Sequence, residues 1–517
     1  MGLGSARYAL VLAPLLLLLG IRSANGYSTV LTFQLDSGLQ KRSYAMWIIG
    51  WSPASKKYLD HDPQGVGFWK SIPSGSGHIG AKRLGKGQGE LSQIKVESAN
   101  PVIGGRLYVV LVPVGEAASI PPPCVTYTNG GADIVQPLDA GTEPNANTWL
   151  CNNQRFMHQV IEVTQPSSAP MTINLQVVDG FVFPITITLT PAPGDGITPG
   201  QIGQPLTATG KAPNNINRQS IFKLYNNFIK REALSDAMKT AYLDLIAKSG
   251  VTPGRGGEQL SNGILSPRTF LASATAANQN SGLLSQFDST LQELFKPGNI
   301  IGMRSDDNRF YKGTATQDGG AQYIDFVAFD QPGCQAPNPG YHYRVYSPLT
   351  PDPTSKPKGT PAYMVFGNVG VFDDVSSDAV LAGNSGIAQA LQRDIAAALN
   401  RGVALLHEAP SAPNTLGCNA DHSRYWAEST HWYPINQTYN NYARFMHVAR
   451  FDANQPLYVP APNAVKDAQN MTMGQSYGFP FDETLNGDRL QPNCPSKFDP
   501  VPVATSGATI LIGTFGR

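Results

Sequence analysis

The hydrophobic and polar positions of this chain change period part-way along it. Between residues 27 and 206 apolar and polar residues alternate in short runs: 30–35 (VLTFQL), 43–51 (SYAMWIIGW), 106–113 (RLYVVLVP) and the block 158–190. Period-two runs rich in β-branched and aromatic residues, separated by Gly, Pro and Ser, predict the short strands of a sandwich or barrel. The 158–190 block reads as strand, turn, strand, strand. Residues 159–164 alternate, QPSSAP (165–170) supplies turn formers, 172–178 alternate again, and 182–190 do so once more after Gly180.

A Pro/Gly-rich connector, 191–213, then separates this region from one of helical period. Residues 218–231 carry Ile221, Leu224, Tyr225, Phe228 and Ile229 on one face, with Asn217 as N-cap. Helices are also expected over 235–249, ending at Gly250, and over 283–296, stopped by Pro297. The clearest is 385–400, where Ile387, Leu391, Ile395 and Leu399 recur every fourth position before Gly402. Strands are expected at 323–329, 343–346 and 403–406. The organisation expected is a β region over 27–208, an inserted α/β unit over 209–402 and a return to the β region over 403–517.

Composition narrows the class. Of 517 residues, 41% are hydrophobic and only 15% charged, with 52 Gly and 41 Pro. That mixture suits a loop-rich β protein with uncharged polar surfaces. A net charge of +1 leaves no basic stripe to neutralise phosphates, which argues against a nucleic-acid partner. Residues 1–24 read as a secretory signal, with Arg7 ahead of the apolar core ALVLAPLLLLLGI and small residues after it. No later segment has the length of a membrane span. The expectation is a secreted, extracellular monomer. Asn436-Gln-Thr438 and Asn470-Met-Thr472 are glycosylation sequons. Five Cys leave one unpaired if four join, and Cys124 with Cys151 is one pairing open to the chain.

Two carboxylates fall inside the strand block: Glu162 within the first strand and Asp179 at the end of the second. Acidic residues are depleted in strands. They are either solvated surface acids or a pair sharing one sheet face, the minimum equipment of a glycoside hydrolase. A simple hairpin over 166–170 sets Glu162 opposite about Asn174. Asp179 would then stand roughly 16 Å away at ~3.3 Å per residue. An inverting pair works at about 6.5–9.5 Å. Catalysis by this pair therefore requires a bulge or bend between Gln176 and Asp179.

The run VIEVT…NLQVVDGFVFPITITL resembles the signature of thaumatin-like folds, and more closely that of glycoside hydrolase family 64, the thaumatin-fold β-1,3-glucanases of the laminaripentaose-producing type. The likeness continues in order through INRQSIFKLYNNF, VLAGNSGIAQALQRDIAAALNRGVALL, WYPINQTYNNYARFMH and GQSYGFPFDE. This chain reads QVVD where the family has QVD, and Glu483 stands where the family has a second Asp. The resemblance implies a mixed β and α/β protein: a thaumatin-like barrel or sandwich built from both chain ends, an inserted α/β domain, and a wide groove between them. It implies inverting hydrolysis of β-1,3-glucan, endo or processive, with Glu162 as general acid and Asp179 as general base. The products implied are short laminari-oligosaccharides, and no cofactor is implied. The alternative is a non-catalytic glucan-binding or wall-interacting protein on the same fold; a purely structural secreted protein is the third reading.

Around the acids, Thr164, Gln165, Asn174 and Gln176 are the candidate substrate contacts. Further along, the aromatics Tyr425, Trp426, Trp432, Tyr433, Tyr439 and Tyr442 cluster with Asn and Arg444. They serve either as core packing or as stacking faces for sugar rings. Trp432, Tyr442 and Arg444, with Tyr477 and Asp482 near the C-terminus, complete the candidate binding set. The eight His never fall at a two-His ligand spacing, so no metal is expected. KRLGKGQG (82–89) lacks the Walker spacing and reads as a basic turn.

Overall fold

The structure is a computed structural model. It describes residues 27–35, 44–113, 124–128, 133–134, 157–168, 170–189, 201–203, 218–247, 263–272, 281–305, 307, 309–329, 337–350, 359–407, 421–428, 431–448, 450–452, 455–458, 476–480, 482, 501–503 and 507–512. The expected signal segment, Asn217, Gly250, Asn470, Glu483 and the Cys151 half of the expected disulfide lie outside these residues.

The alternating runs become a 14-stranded sheet that curls into a nearly closed barrel. In spatial order its main path is Gln201–Gly203, Ile185–Leu189, Ala508–Ile512, Ser28–Leu35, Gln93–Glu97, Val66–Ser71, Lys57–His61, Tyr44–Ser52, Val102–Pro113, Met157–Gln165, Met171–Gln176 and Ser476–Tyr477. The first of the long strands, Ser28–Leu35, runs parallel to Ala508–Ile512, with Leu31 opposite Ala508. Alternate residues fill the barrel: Leu31, Ile48, Leu107, Ile161, Ile173, Ile185 and Ile510 belong to one fully buried cluster. Each such side chain stabilises the fold by about 1.5–3 kcal/mol. A one-residue slip would turn them all outward, so register is strongly specified.

Between Gly203 and Ser476 lies a second core. Ile221, Tyr225, Phe228 and Ile229 from helix Arg218–Arg231 pack in it with Leu391, Ile395 and Leu399 from helix Ser385–Arg401. The strands here are an antiparallel meander: Ile300–Arg304, Phe310–Asp318, Ala321–Phe329, Pro337–Tyr346 and Val380–Ala382. Gly319 (φ 56°) and Gly320 (φ 94°) close its tightest hairpin, a turn whose twist matches antiparallel strands. The expected α/β unit therefore rests on antiparallel pairing, not on parallel crossovers.

Two local expectations are corrected. Residues 283–296 are not one helix but a 3₁₀ turn, Gly282–Ser285, followed by Asp288–Leu294. Gln286 sits at the break with its amide turned inward, donating to the Tyr439 carbonyl at 2.6 Å and accepting from Tyr242 Oη at 2.9 Å. Residues 403–406 are a turn, not a strand. After Gly402 (φ 74°) ends the helix, Val403 N–H bonds back to Ala398 O at 2.9 Å and Leu406 N–H to Val403 O at 2.8 Å. Val403, Trp426, Trp432, Phe445, Met446 and Phe479 all pack in the second core, so its packing runs well past residue 402.

The basic turn near residue 85 is closed by its own carboxylate. Glu90 accepts from Gly87 N–H at 2.8 Å and pairs with Arg83 at 3.1 Å.

Candidate active site

Glu162 lies mid-strand in Met157–Gln165, between Arg106 on one neighbouring strand and Asn174 on the other. Cross-strand partners share a face, so Arg106, Glu162 and Asn174 form a row, and Gln176 stands two residues along from Asn174. Their neighbours Leu107, Ile161, Val163, Ile173 and Leu175 point the other way, into the barrel. Glu162 is half-buried. Asn174 donates from Nδ2 to Glu162 Oε2 at 3.4 Å, and Gln176 Nε2 donates to the same oxygen. The other oxygen faces Gly104, where an added Cβ would lie 3.9 Å from Oε1. Gly104 takes φ 58°, and its N–H donates to Thr164 Oγ1 at 2.9 Å, beside a register shift between Val163 and Gln165. A bulge thus shapes the sheet at the acid.

The bend required on the way to Asp179 is present. The strand Met171–Gln176 stops at Gln176, and Gly180 N–H bonds to Val177 O at 3.1 Å. The side chain of Gln159, 2% exposed, spans the excursion: Nε2 donates to Gln176 O at 2.6 Å and Oε1 accepts from Val182 N–H at 3.1 Å. Gly180–Phe181 then pairs with Ile264–Leu265. The approach is so close that a Cβ on Gly180 would sit 2.8 Å from the Ile264 carbonyl. Ser266 N–H donates to Asp179 O at 3.2 Å, and Arg268 Nη1 stands 3.9 Å from Asp179 Oδ1.

The two acids bear on one cation. Burial works against the charge of Arg106, but Tyr108, Glu162 and Asp179 outweigh it and hold the guanidinium above its ordinary pKa. The arrangement sets one carboxylate, a permanent positive charge and two amides together on one side of the sheet, and the charge of a second carboxylate, Asp179, reaches the same cation. That is equipment for proton transfer to and from an oxygen-rich ligand.

Of the residues expected at the site, Glu162, Asn174 and Gln176 are joined by hydrogen bonds, Thr164 lies two positions from Glu162 on the same strand, and Asp179 lies on the bend that follows Gln176. Tyr477 joins them through its main chain, paired with Gln176 at the sheet edge; its side chain lies outside the described residues. Gln165 is fully buried, its Nε2 donating to Pro166 O at 2.8 Å. The other four are in the second core. Trp432 Nε1 donates to Trp426 O at 2.8 Å, and its ring lies 4.0 Å under the Arg401 guanidinium. Arg444 is paired with Glu232. Asp482 is held by His447 at 2.7 Å and Arg401 at 3.2 Å. Tyr442 donates to Val177 O at 2.6 Å. Arg106, Arg268, Gly104 and Gln159 were not singled out in the sequence. Arg106 alone carried a signal, being a cation inside an otherwise apolar alternating run.

No protein-family model matches the sequence, and no curated protein does. Among solved structures, a β-1,3-glucanase domain of glycoside hydrolase family 64 from Clostridium beijerinckii aligns over 94% of this chain and 98% of its own, with TM-score 0.50 and 18% identity. The chain has the fold of a family 64 domain. A laminaripentaose-producing β-1,3-glucanase of the same family from Paenibacillus barengoltzii aligns over 95% of this chain and 76% of its own, with TM-score 0.41 and 15% identity. Its complex with laminarihexaose aligns with TM-score 0.41 and 14% identity, over 94% of this chain and 75% of that one. Among the described residues no group of His, Cys, Asp and Glu could hold a metal ion, and no helix is long and apolar enough to cross a membrane.

Proposed function

We propose that the protein is a glycoside hydrolase that cleaves β-1,3-glucan with inversion of configuration. The observation that carries this reading is Glu162 held by Asn174 and Gln176 beside Arg106, with Asp179 on the bend that follows Gln176, in the fold of a family 64 β-1,3-glucanase domain. In the reaction a water attacks the anomeric carbon and gives its proton to Asp179 as general base. The glycosidic C–O bond breaks as Glu162, the general acid, protonates the departing oxygen. Asn174 and Gln176 orient the Glu162 carboxyl through Oε2, leaving the oxygen beside Gly104 for the leaving group. Arg106 offsets the charge of two acids that must work close together. The reading extends to a thaumatin-like barrel with a groove against the inserted unit, to secretion as a monomer, and to release of short laminari-oligosaccharides.

The test is to follow laminarin and curdlan hydrolysis by proton NMR. An α-anomer appearing first, before mutarotation, supports the proposal. A β-anomer first overturns inversion, and no release of reducing ends overturns the hydrolase.

A further inference from the structure

The segment that follows Ile264 converges on Asp179 from the second core. Gly180 pairs with Leu265, Ser266 N–H holds the Asp179 carbonyl at 3.2 Å, and Arg268, in the short helix Pro267–Ala272, faces the Asp179 carboxylate. The Arg268 stem passes Gly367, where an added Cβ would lie 3.7 Å from its Cγ. At 3.9 Å, the Nη1···Oδ1 separation is too long for a hydrogen bond. Asp179 Oδ1 and Arg268 Nε are both buried atoms without a hydrogen-bond partner among the described residues. A carboxylate placed only to make a structural ion pair would meet the guanidinium as a closed fork, with its lone pairs used. Here the positive charge stands close to the buried Oδ1 without a hydrogen bond, and the exposed part of the Asp179 side chain, 23% of it, lies away from that oxygen.

We infer that Arg268 is a positioning residue for Asp179: it holds the carboxylate on its bend by charge, without occupying the oxygen that takes the proton of the attacking water. This rests on the reading of Asp179 as general base. In that step the water O–H bond breaks, its oxygen bonds the anomeric carbon as the glycosidic C–O bond breaks, and the proton goes to the carboxylate oxygen other than the buried Oδ1. An Arg closed as a fork on both carboxylate oxygens would compete for the lone pair that takes the proton. An Arg at this range restrains the rotation of the carboxylate.

The test compares the full-length wild type, Arg268→Met, Arg268→Lys and Asp179→Asn on laminarin. Arg268→Met is expected to lower kcat by roughly ten- to a hundredfold with KM changed less than about threefold. Arg268→Lys or added guanidinium ion restores a large part of kcat. If Arg268→Met does not fold, Arg268→Gln, which keeps the stem against Gly367, takes its place. An active wild type whose Arg268→Met variant keeps its kcat, or is not rescued by Arg268→Lys or guanidinium ion, overturns this inference alone. An inactive wild type, or an Asp179→Asn variant as active as wild type, overturns the catalytic reading and this inference with it.

Discussion

The hydroxyl of Tyr442 donates to the carbonyl of Val177 at 2.6 Å, two residues before Asp179. Tyr442 comes from helix Asn441–Val448 in the second core, and Val177 opens the bend that leaves the barrel strand. Burial pushes the Tyr442 hydroxyl well above its ordinary pKa, and the charge of Asp179 adds to it, so it stays a donor. Replacing it (Tyr442→Phe) leaves the Val177 carbonyl with the Gly180 N–H as its remaining donor, at a cost of about 0.5–1.5 kcal/mol. Denaturant unfolding should report that loss, and kcat should fall by roughly tenfold as the bend loosens.

Glu162→Gln and Asp179→Asn each remove one of the two proposed proton-transfer groups while keeping shape. Each should lower glucan hydrolysis by on the order of 10²–10⁴-fold. Glu162→Gln also sets an amide against the Gln176 donor, so its melting temperature should drop slightly more than that of Asp179→Asn. Reducing-end assays with parallel melting curves check both.

Gly104 holds φ 58° beside Glu162 Oε1. Gly104→Ala should cost about 1–2 kcal/mol from backbone conformation alone, since its Cβ meets the carboxylate at ordinary contact distance. Gly104→Val adds a branch toward Oε1 and should depress kcat more than its stability loss accounts for. Comparing kcat with the unfolding midpoint across the two variants separates the effects.

Asp482 gives the expected acid sensitivity. Burial alone would raise its pKa, but His447, Arg401 and the Gly478 N–H outweigh burial and hold it below the ordinary carboxylate range. A depressed folded-state pKa contributes stability that is fully present above the unfolded value, near 3.9, and lost as pH falls through the folded one. Asp482→Asn should flatten this part of the acid-unfolding curve. It should also cost about 3–5 kcal/mol at neutral pH, because Arg401 and His447 would be left buried without their counter-charge. Urea midpoints measured from pH 2 to 7 test both statements.

Strands and helices were legible because their periods are local. Alternation marked the Glu162 strand, and four-residue spacing with Gly402 marked Ser385–Arg401 almost to its ends. The need for a bend before Asp179 followed from strand rise alone. What builds that bend did not, because Gln159, Ile264 and Tyr442 lie 20, 85 and 263 positions from Asp179 along the chain. No local pattern signals such pairings. The aromatic cluster offered two readings that composition does not separate. The structure favours packing, because the indoles of Trp426 and Trp432 find the carbonyls of Leu406 and Trp426 at 3.0 and 2.8 Å. Arg106 stayed hidden for a different reason: its meaning depends on facing Glu162 across a strand pair about fifty residues long in sequence.

The parallel pairing of Ser28–Leu35 with Ala508–Ile512 also sets an order of events. An early strand cannot complete its hydrogen bonds until residues 508–512 have been synthesised. Until then one side of the nascent barrel stays an unpaired edge, open to aggregation. Contacts that distant in sequence make folding slow. A ribosome stalled short of residue 508 should therefore hold a chain that proteases still cut readily within its first hundred residues.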